Sequence, residues 1–462
     1  MSHCYTTWTV VEHIGVQVEE AATMKLARVE IENYRAIETL HLALHPGLTV
    51  LHGDNGHGKT SVLSAIATGL GSIPMFLPDV SSVGFRKSDR RGSRPLRVGL
   101  RTVDSGGMAW DRRVGGPQRK NILRELKETM DTIVNADREA TGPLDLPIVA
   151  FYDTDRAVFD LPQRRRGFKT EFSRYGALQG TLSARTDFRD FFKWFYAKEN
   201  EELREQKERL ERLDFSSTLD DLKAARNYQF KDLEAIRKAI AAMVPGATNP
   251  RIKLHPLRFI VSVQSDDGEP EEELSIDQLS GGYRIMLALA ADLARRMAQG
   301  NPHLEDPLQS EAVVLIDEIE LHLHPSWQQR VLDDLTRTFP KTQFIVSTHS
   351  PQVLSTVKPE HVVELWREQG GIVAGSAAAP TYGAKAGDVL ATVMGVKERP
   401  GGNEFVKKLA QYTDLVAEGK GEFPAAVSLR QELDALSLRD SELDRADIEI
   451  RRRKLFQSMG RS

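Results

Sequence analysis

One octapeptide, Gly53 to Thr60 (Gly-Asp-Asn-Gly-His-Gly-Lys-Thr), constrains this chain more than any other stretch. It fits the pattern G-x-x-x-x-G-K-[ST] and lies between an apolar run and a helical one. Leu48 to Leu51 reads as the strand and Ser61 to Leu70 as the helix. Gly53, Gly56 and Gly58 let the backbone N–H groups of Asp54, Asn55, His57 and their neighbours curl around phosphate oxygens. The helix that follows Lys59 and Thr60, opened by Ser61, adds the positive end of its dipole. In such a cradle Lys59 would grip the β and γ phosphates, and Thr60 would offer a hydroxyl to Mg²⁺. A glycine-rich turn that binds nothing is the bland alternative. Strand, loop and helix all agree with the phosphate cradle instead.

Three further stretches follow in a meaningful order. Val313 to Ile316 is a β-branched, apolar strand that delivers Asp317 and Glu318 at its carboxyl end. Phosphoryl transfer needs mainly positioning and charge neutralisation, so Asp317 would hold the metal and Glu318 would polarise the attacking water. Leu279 to Arg284 contains Ser280, Gly281 and Gly282 and precedes the apolar helix Ile285 to Ala298, making a second anion-binding helix start. Thr342 to Ser347 reads as a strand presenting His349 within Ser-Thr-His-Ser. Glu320, His322 and His324 could instead form a metal cluster. No zinc-type spacing or CxxC supports that reading.

Together these stretches resemble the ATP site of ABC-type ATPases, an α/β P-loop fold. The resemblance implies that Ser280, Gly281 and Gly282 of one subunit close over the γ-phosphate held by another, giving a head-to-head dimer with two shared sites. Leu323-His324-Pro325 departs from the usual L-D-P of that fold. Ile31 to Ile37, with Arg35 inside, resembles the opening strand of the RecF, SMC and overcoming-lysogenization-defect ATPases, where a basic residue can lie near the nucleotide. A surface arginine is the equal alternative. The resemblance also asks for a Mg²⁺-sensing glutamine, with Gln163 and Gln179 as candidates.

Composition fits a large protein with a full core. Of 462 residues, 40% are hydrophobic and 28% charged, and the formal net charge is −4, so nucleic-acid contact would need local basic patches. No run approaches the ~18 apolar residues of a membrane span. The start lacks a signal-peptide pattern, and the lone Cys4 suits a reducing cytoplasm.

The expected organisation is an extension over 1–23, with Met24 a candidate start. An ATPase head N-lobe over 24–160 follows, then a helical insertion over 161–250, a C-lobe over 251–366 and a mainly helical region over 367–462. Strands are expected at Leu96 to Arg101, Met108 to Val114 and Ile148 to Tyr152, and a helix at Asn121 to Asn135. Leu257 to Val263 and Leu274 to Ile276 are expected to return the chain to the sheet. Pro162 to Lys169 is a basic segment that could track a phosphate backbone or serve as a solvated face. Phe188 to Tyr196 is dense in aromatics. Lys198 to Leu213 and Leu219 to Met243 read as a helical hairpin, too short for an SMC coiled coil.

In the tail, Leu429, Leu433, Leu436, Leu443 and Ile450 recur with a helical period and precede the basic run Arg451 to Lys454. That face could dock a partner or cap the chain's own fold. Asp388, Glu398, Glu404, Asp444 and Asp447 do not make the Glu plus D-x-D pattern of a Toprim nuclease.

A head with an inserted hairpin, the stretch Arg174 to Gly180 and the ending Leu443 to Lys454 resemble the ATPase subunit of Septu-type antiphage systems, the PtuA-like proteins also found beside some retrons. What this implies is a cytoplasmic ATPase that uses ATP and Mg²⁺, forms dimers and higher assemblies, and restrains a separate HNH nuclease until infection alters its nucleotide state. DNA or a retron nucleic acid is a further possible partner; a membrane is not. Two alternatives stand beside it: a RecF-like repair ATPase that clamps DNA, and an ATP-sensing scaffold with little turnover.

Overall fold

The computed structural model describes residues 23–103, 107–116, 122–139, 142–154, 171–183, 188–264, 272–368, 371–377, 379–397, 399–436 and 440–459. The basic segment 162–169, Gln163 and the extension before residue 23 lie outside them. The described chain divides into two compact units, Met1–Gly383 and Ala384–Ser462.

The first unit opens with β1 (Leu26–Tyr34) and β2 (Ile37–Ala43), an antiparallel hairpin whose alternate side chains are buried. β3 (Leu48–His52) leads through the Gly53–Gly58 loop into α1 (Lys59–Leu70). β4 (Leu96–Thr102) and β5 (Ala109–Val114) join β1 and β2 in a four-stranded antiparallel sheet of order β2-β1-β4-β5. α2 (Arg124–Glu139) precedes β6 (Ile148–Tyr152).

The insertion comprises α3 (Phe188–Glu211), α4 (Leu219–Arg226) and α5 (Lys231–Met243). The expected second helix is therefore broken at residues 227–230. α3 causes the break: Glu202 accepts the Phe230 N–H at 2.7 Å, Gln206 donates to the Tyr228 carbonyl at 2.6 Å, and the Arg209 guanidinium lies 3.7 Å from the Tyr228 ring centroid. These contacts satisfy backbone groups that a continuous helix would have paired internally. The aromatic stretch forms the start of α3, its rings being used for packing.

β7 (Ala247–Leu254), β8 (Leu257–Val263) and β9 (Glu272–Ser275) form their own antiparallel sheet of order β7-β8-β9, which corrects the expectation that they rejoin the main sheet. β7 and β8 are joined by the two residues His255 and Pro256. The free edge of β6 is occupied by the segment around Thr181, whose carbonyl accepts the Phe151 N–H at 2.8 Å. Phe188, Phe191 and Phe195 pack on Phe259 of β8 with centroids 5.9, 5.5 and 5.4 Å away.

Glu199 of α3 fastens this small sheet, its carboxylate oxygens accepting the Ile252 N–H at 3.1 and 3.3 Å. Burial pushes its pKa up to about 7. A carboxyl raised on folding stabilises the fold fully below its unfolded value and loses that contribution as pH rises through about 7. Glu199→Gln keeps an acceptor without the charge. It is expected to match the wild type near pH 5 and to be more stable at pH 8 by on the order of 2 kcal/mol, measured by urea midpoints at both pH values.

α6 (Gly281–Gly300) is followed by β10 (Ala312–Ile316), α7 (Pro325–Gln328), α8 (Val331–Thr338), β11 (Thr342–Ser347), α9 (Pro351–Leu354), β12 (Val362–Glu368) and β13 (Gly371–Ser376). The main sheet has the order β13-β12-β3-β11-β10-β6, parallel from β12 to β6, with β13 antiparallel at one edge. β3, β10, β11 and β6 are almost wholly buried, as strands covered on both faces must be. Since β13 continues the sheet beyond residue 366, the second unit starts at Ala384, later than the expected 367.

That second unit holds α10 (Ala386–Thr392), α11 (Glu404–Ala417), α12 (Pro424–Leu436) and α13 (Ser441–Met459). Leu409, Tyr412, Val416, Ala426, Leu433 and Leu443 form its core, with Leu429 and Ile450 partly buried against it. Most of the periodic stripe is thus consumed inside the unit, while Leu436 is exposed. Arg453 and Lys454 of the basic run pair with Glu449 and Glu422.

Candidate nucleotide-binding site

Because β3, β11, β10 and β6 are parallel neighbours, their carboxyl ends open on one crevice, where α/β sheets collect ligands. β11 lies between the strand of the glycine-rich loop and the strand of the two acids, so His349 enters between them. The loop packs tightly on the next strand: a Cβ on Gly53, whose φ is +146°, would sit 2.2 Å from the Leu365 carbonyl oxygen. Only glycine fits there.

Lys59 is buried, and its ammonium donates to the carbonyls of Gly53 (2.8 Å) and Asp54 (3.1 Å). Burial lowers its pKa, with Asp317, Glu318 and Glu320 opposing. The Thr60 hydroxyl donates to Asp317 Oδ2 at 2.6 Å, joining the head of α1 to the end of β10. Asp317 Oδ1 accepts the Ser347 hydroxyl, and Ser347 Oγ in turn accepts the Glu318 N–H at 2.8 Å. Glu318 is half-buried at φ 44°, a strained conformation for an acidic side chain.

The remaining acid of the segment has a structural task. Glu320 accepts the Thr348 hydroxyl at 2.8 Å and the His349 N–H, bracing the loop that carries His349. This overturns the metal-cluster alternative, because Glu320 is committed and His324 Nδ1 contacts Ser326 at the start of α7. No group of three or more potential metal-ligating His, Cys, Asp or Glu side chains occurs among the described residues. The His349 imidazole is held below its ordinary pKa by burial and by the Lys59 charge.

Arg35 is paired with buried Asp89 at 3.0 Å and reaches Ser64 Oγ at 3.4 Å. It lines a cavity of about 250 Å³ beside Thr60, shared with Ser64, Arg86, Asp89 and Asp153. The side-chain oxygen of Gln179 accepts the Ser81 N–H at 3.0 Å, and Gln179 does not line this cavity. Asp153 follows β6 directly, next in register to Asp317, and no sequence pattern pointed to it. Ser347 was likewise read only as the end of a strand.

Ser280 caps α6 and is exposed. Gly282 packs against the turn after the acids, for a Cβ there would lie 2.9 Å from the His322 carbonyl oxygen. Tyr283 and Trp327 extend this surface with ring centroids 4.5 Å apart. The structure therefore brings Lys59, Thr60, Asp317, Glu318 and His349 together. No hydrogen bond joins Ser280, Gly281 or Gly282 to that loop among the described residues.

Two family models match the chain. One, described as "AAA domain, putative AbiEii toxin, Type IV TA system", covers residues 137–355, and the other, "AAA domain", covers 28–243. Both models describe AAA domains, so the chain is similar to AAA-type ATPases along these stretches. Both matches overlap β6, and together they include the glycine-rich loop, both acids and His349. Among relatives, this chain is 28% identical to the "Retron Ec83 probable ATPase" of Escherichia coli over 87% of this chain and 82% of that one. It is 41% identical to "Septu protein PtuA" of Bacillus mycoides over 16% of this chain and 10% of that one. Among solved structures, an SmcHead bound to the C-winged helix domain of ScpA is 16% identical, with a TM-score of 0.43, over 76% of this chain and 97% of that chain.

The residues at the sheet edge fit a magnesium nucleotide. Lys59 is a buried cation whose ammonium donates to two backbone carbonyls and lies in the field of Asp317, Glu318 and Glu320, and an incoming phosphate would complement its charge. Thr60 and Asp317 supply the hard oxygens that Mg²⁺ prefers, few enough for the ion to keep its waters. Among the described residues no helix is long and apolar enough to cross a membrane.

Proposed function

We propose that this chain binds and hydrolyses ATP as the regulatory subunit of a cytoplasmic antiphage defence complex that restrains a separate HNH nuclease. The observation that carries the ATPase part is the 2.6 Å contact between Thr60 and Asp317, with Lys59 and Glu318 beside it. The match to a retron ATPase along most of both chains supports the defence part. The shorter match to a Septu protein supports the same defence setting, and the HNH partner is what the Septu resemblance implies.

In this reading the N–H groups of Gly53 to Ser61 cradle the phosphates and Lys59 leaves its two carbonyls to pair with them. A bound Mg²⁺ would supply charge neutralisation at the phosphates; Thr60 and Asp317 would hold it, with Ser347 fixing the Asp317 carboxylate by its hydroxyl. Glu318 orients and polarises the attacking water, and His349, placed by Glu320, contacts the terminal phosphate as a neutral donor. Exposed Ser280, with Gly281 and Gly282, closes over the nucleotide of a second copy. The strained backbone of Glu318 favours turnover over a mere nucleotide sensor.

The test is an affinity pulldown of the protein from its native host, with and without ATP, scored for a co-purifying HNH protein and for DNA. A stoichiometric HNH partner whose amount changes with ATP supports the defence-complex reading. Recovery of DNA without a nuclease would sink it in favour of a repair ATPase.

A further inference from the structure

Inside the apolar run of α6, Asp292, Arg295 and Arg296 are all buried, at 1%, 4% and 5% exposure. Asp292 Oδ1 accepts from Arg295 at 2.8 Å, and Oδ2 accepts from Arg296 at 2.7 Å and from the Tyr152 hydroxyl at 3.0 Å. Arg296 continues to the carbonyls of Ala177 (2.7 Å) and Gln179 (3.3 Å). Burial keeps the Tyr152 phenol well above its ordinary pKa, so it remains a donor. Burial opposes ionisation of Asp292 too, yet the two guanidinium groups hold its pKa at about 2. One carboxylate thus serves two buried guanidinium groups, an arrangement that contributes little to stability compared with apolar side chains of similar volume.

The cluster's position gives it another use. Tyr152 is the last residue of β6, and its carbonyl oxygen accepts the Asp317 N–H at 2.9 Å. The same residue therefore grips α6 through its phenol and the metal-holding segment through its main chain. α6 is an unbroken helix whose cap is Ser280, so a displacement at that exposed turn carries through to Asp292 as a rigid shift.

We infer that Tyr152 is a positioning residue that couples movement of the Ser280–Gly282 turn to the placement of Asp317 at the phosphate end of the same chain's site. The inference rests on the ATPase reading of that site. It gives α6 a mechanical route to the catalytic end that does not run through the glycine-rich loop. It also explains why a tyrosine, and not an aliphatic residue, ends an otherwise apolar strand in a packed core.

Tyr152→Phe preserves the ring and removes only the phenolic hydroxyl. In the full-length protein KM for ATP is expected to stay within about twofold while kcat falls about tenfold, the size of effect that a severed coupling produces. Hydrogen exchange read by mass spectrometry supplies a second measurement, in a Glu318→Gln background with ATP. With Tyr152 present, protection is expected to rise together at the start of α6 and at residues 317–319. With phenylalanine it is expected to rise at α6 alone. Unchanged kcat with joint protection overturns the inference. So does a parallel loss of kcat, KM and thermal midpoint, which is the pattern of a residue that only packs. Lys59→Ala, run alongside, separates the two levels: if that variant still hydrolyses ATP, the ATPase reading itself has failed.

Discussion

Lys59→Ala is expected to abolish ATP binding and hydrolysis, while Glu318→Gln leaves binding intact and traps an ATP-bound dimer. The two variants divide the site by charge. Lys59 is the buried cation at the sheet edge, and its partners, the Gly53 and Asp54 carbonyls, belong to its own loop. Removing it takes away charge-assisted hydrogen bonds to two phosphates, each worth roughly 1.5–3 kcal/mol, so affinity should drop by ~10²-fold or more. Glu318 stands instead at the end of β10, the strand of the two acids. Its N–H is fixed by Ser347 and its φ of 44° aims the side chain from the end of β10. Glutamine preserves that backbone bond but cannot act as the base, a loss of about 10²–10⁴-fold in turnover. Fluorescent-nucleotide titration and light scattering after size exclusion would measure both. Glu318→Gln protein that stays monomeric in saturating ATP would count against a shared site closed by Ser280.

The elements around that site were legible because their signals are local. The Gly53–Thr60 loop carries its own strand and helix on either side, and β10 and β11 are short apolar runs that end in charged or hydroxyl residues. The placement of Asp153 beside Asp317 and the bridging role of Ser347 were not legible. Each depends on which strand lies beside which, and the order β3-β11-β10-β6 is set by packing that no window of sequence contains. The break between α4 and α5 was hidden for a similar reason, since Glu202, Gln206 and Arg209 act on it from another helix. Glu320 is the converse case: its nearness in sequence to two histidines left a metal alternative that the spacing already disfavoured, and the acid is spent on the Thr348–His349 turn. The periodic leucines of the tail gave the right helices but not their use, because a docking face and a self-packed core have the same period.

Asp292→Ala is expected to be among the most destabilising single substitutions in the chain. It removes the acceptor of three hydrogen bonds and leaves two guanidinium groups, each about 95% buried, without their counter-charge. Breaking a buried ion pair from one side costs about 3–5 kcal/mol, readable as a fall in the urea midpoint at constant slope. Replacing all three members together, as Asp292→Leu with Arg295→Met and Arg296→Met, removes the charges together, and stability should recover most of that loss, short of what the Tyr152 hydroxyl and the Ala177 and Gln179 carbonyls lose with their partners. ATP turnover should not return with it, because the Tyr152 hydroxyl then has nothing on α6 to hold. Recovery of stability without recovery of kcat would mean that the triad serves the link between the Ser280 turn and Asp317. Recovery of both would reduce it to packing.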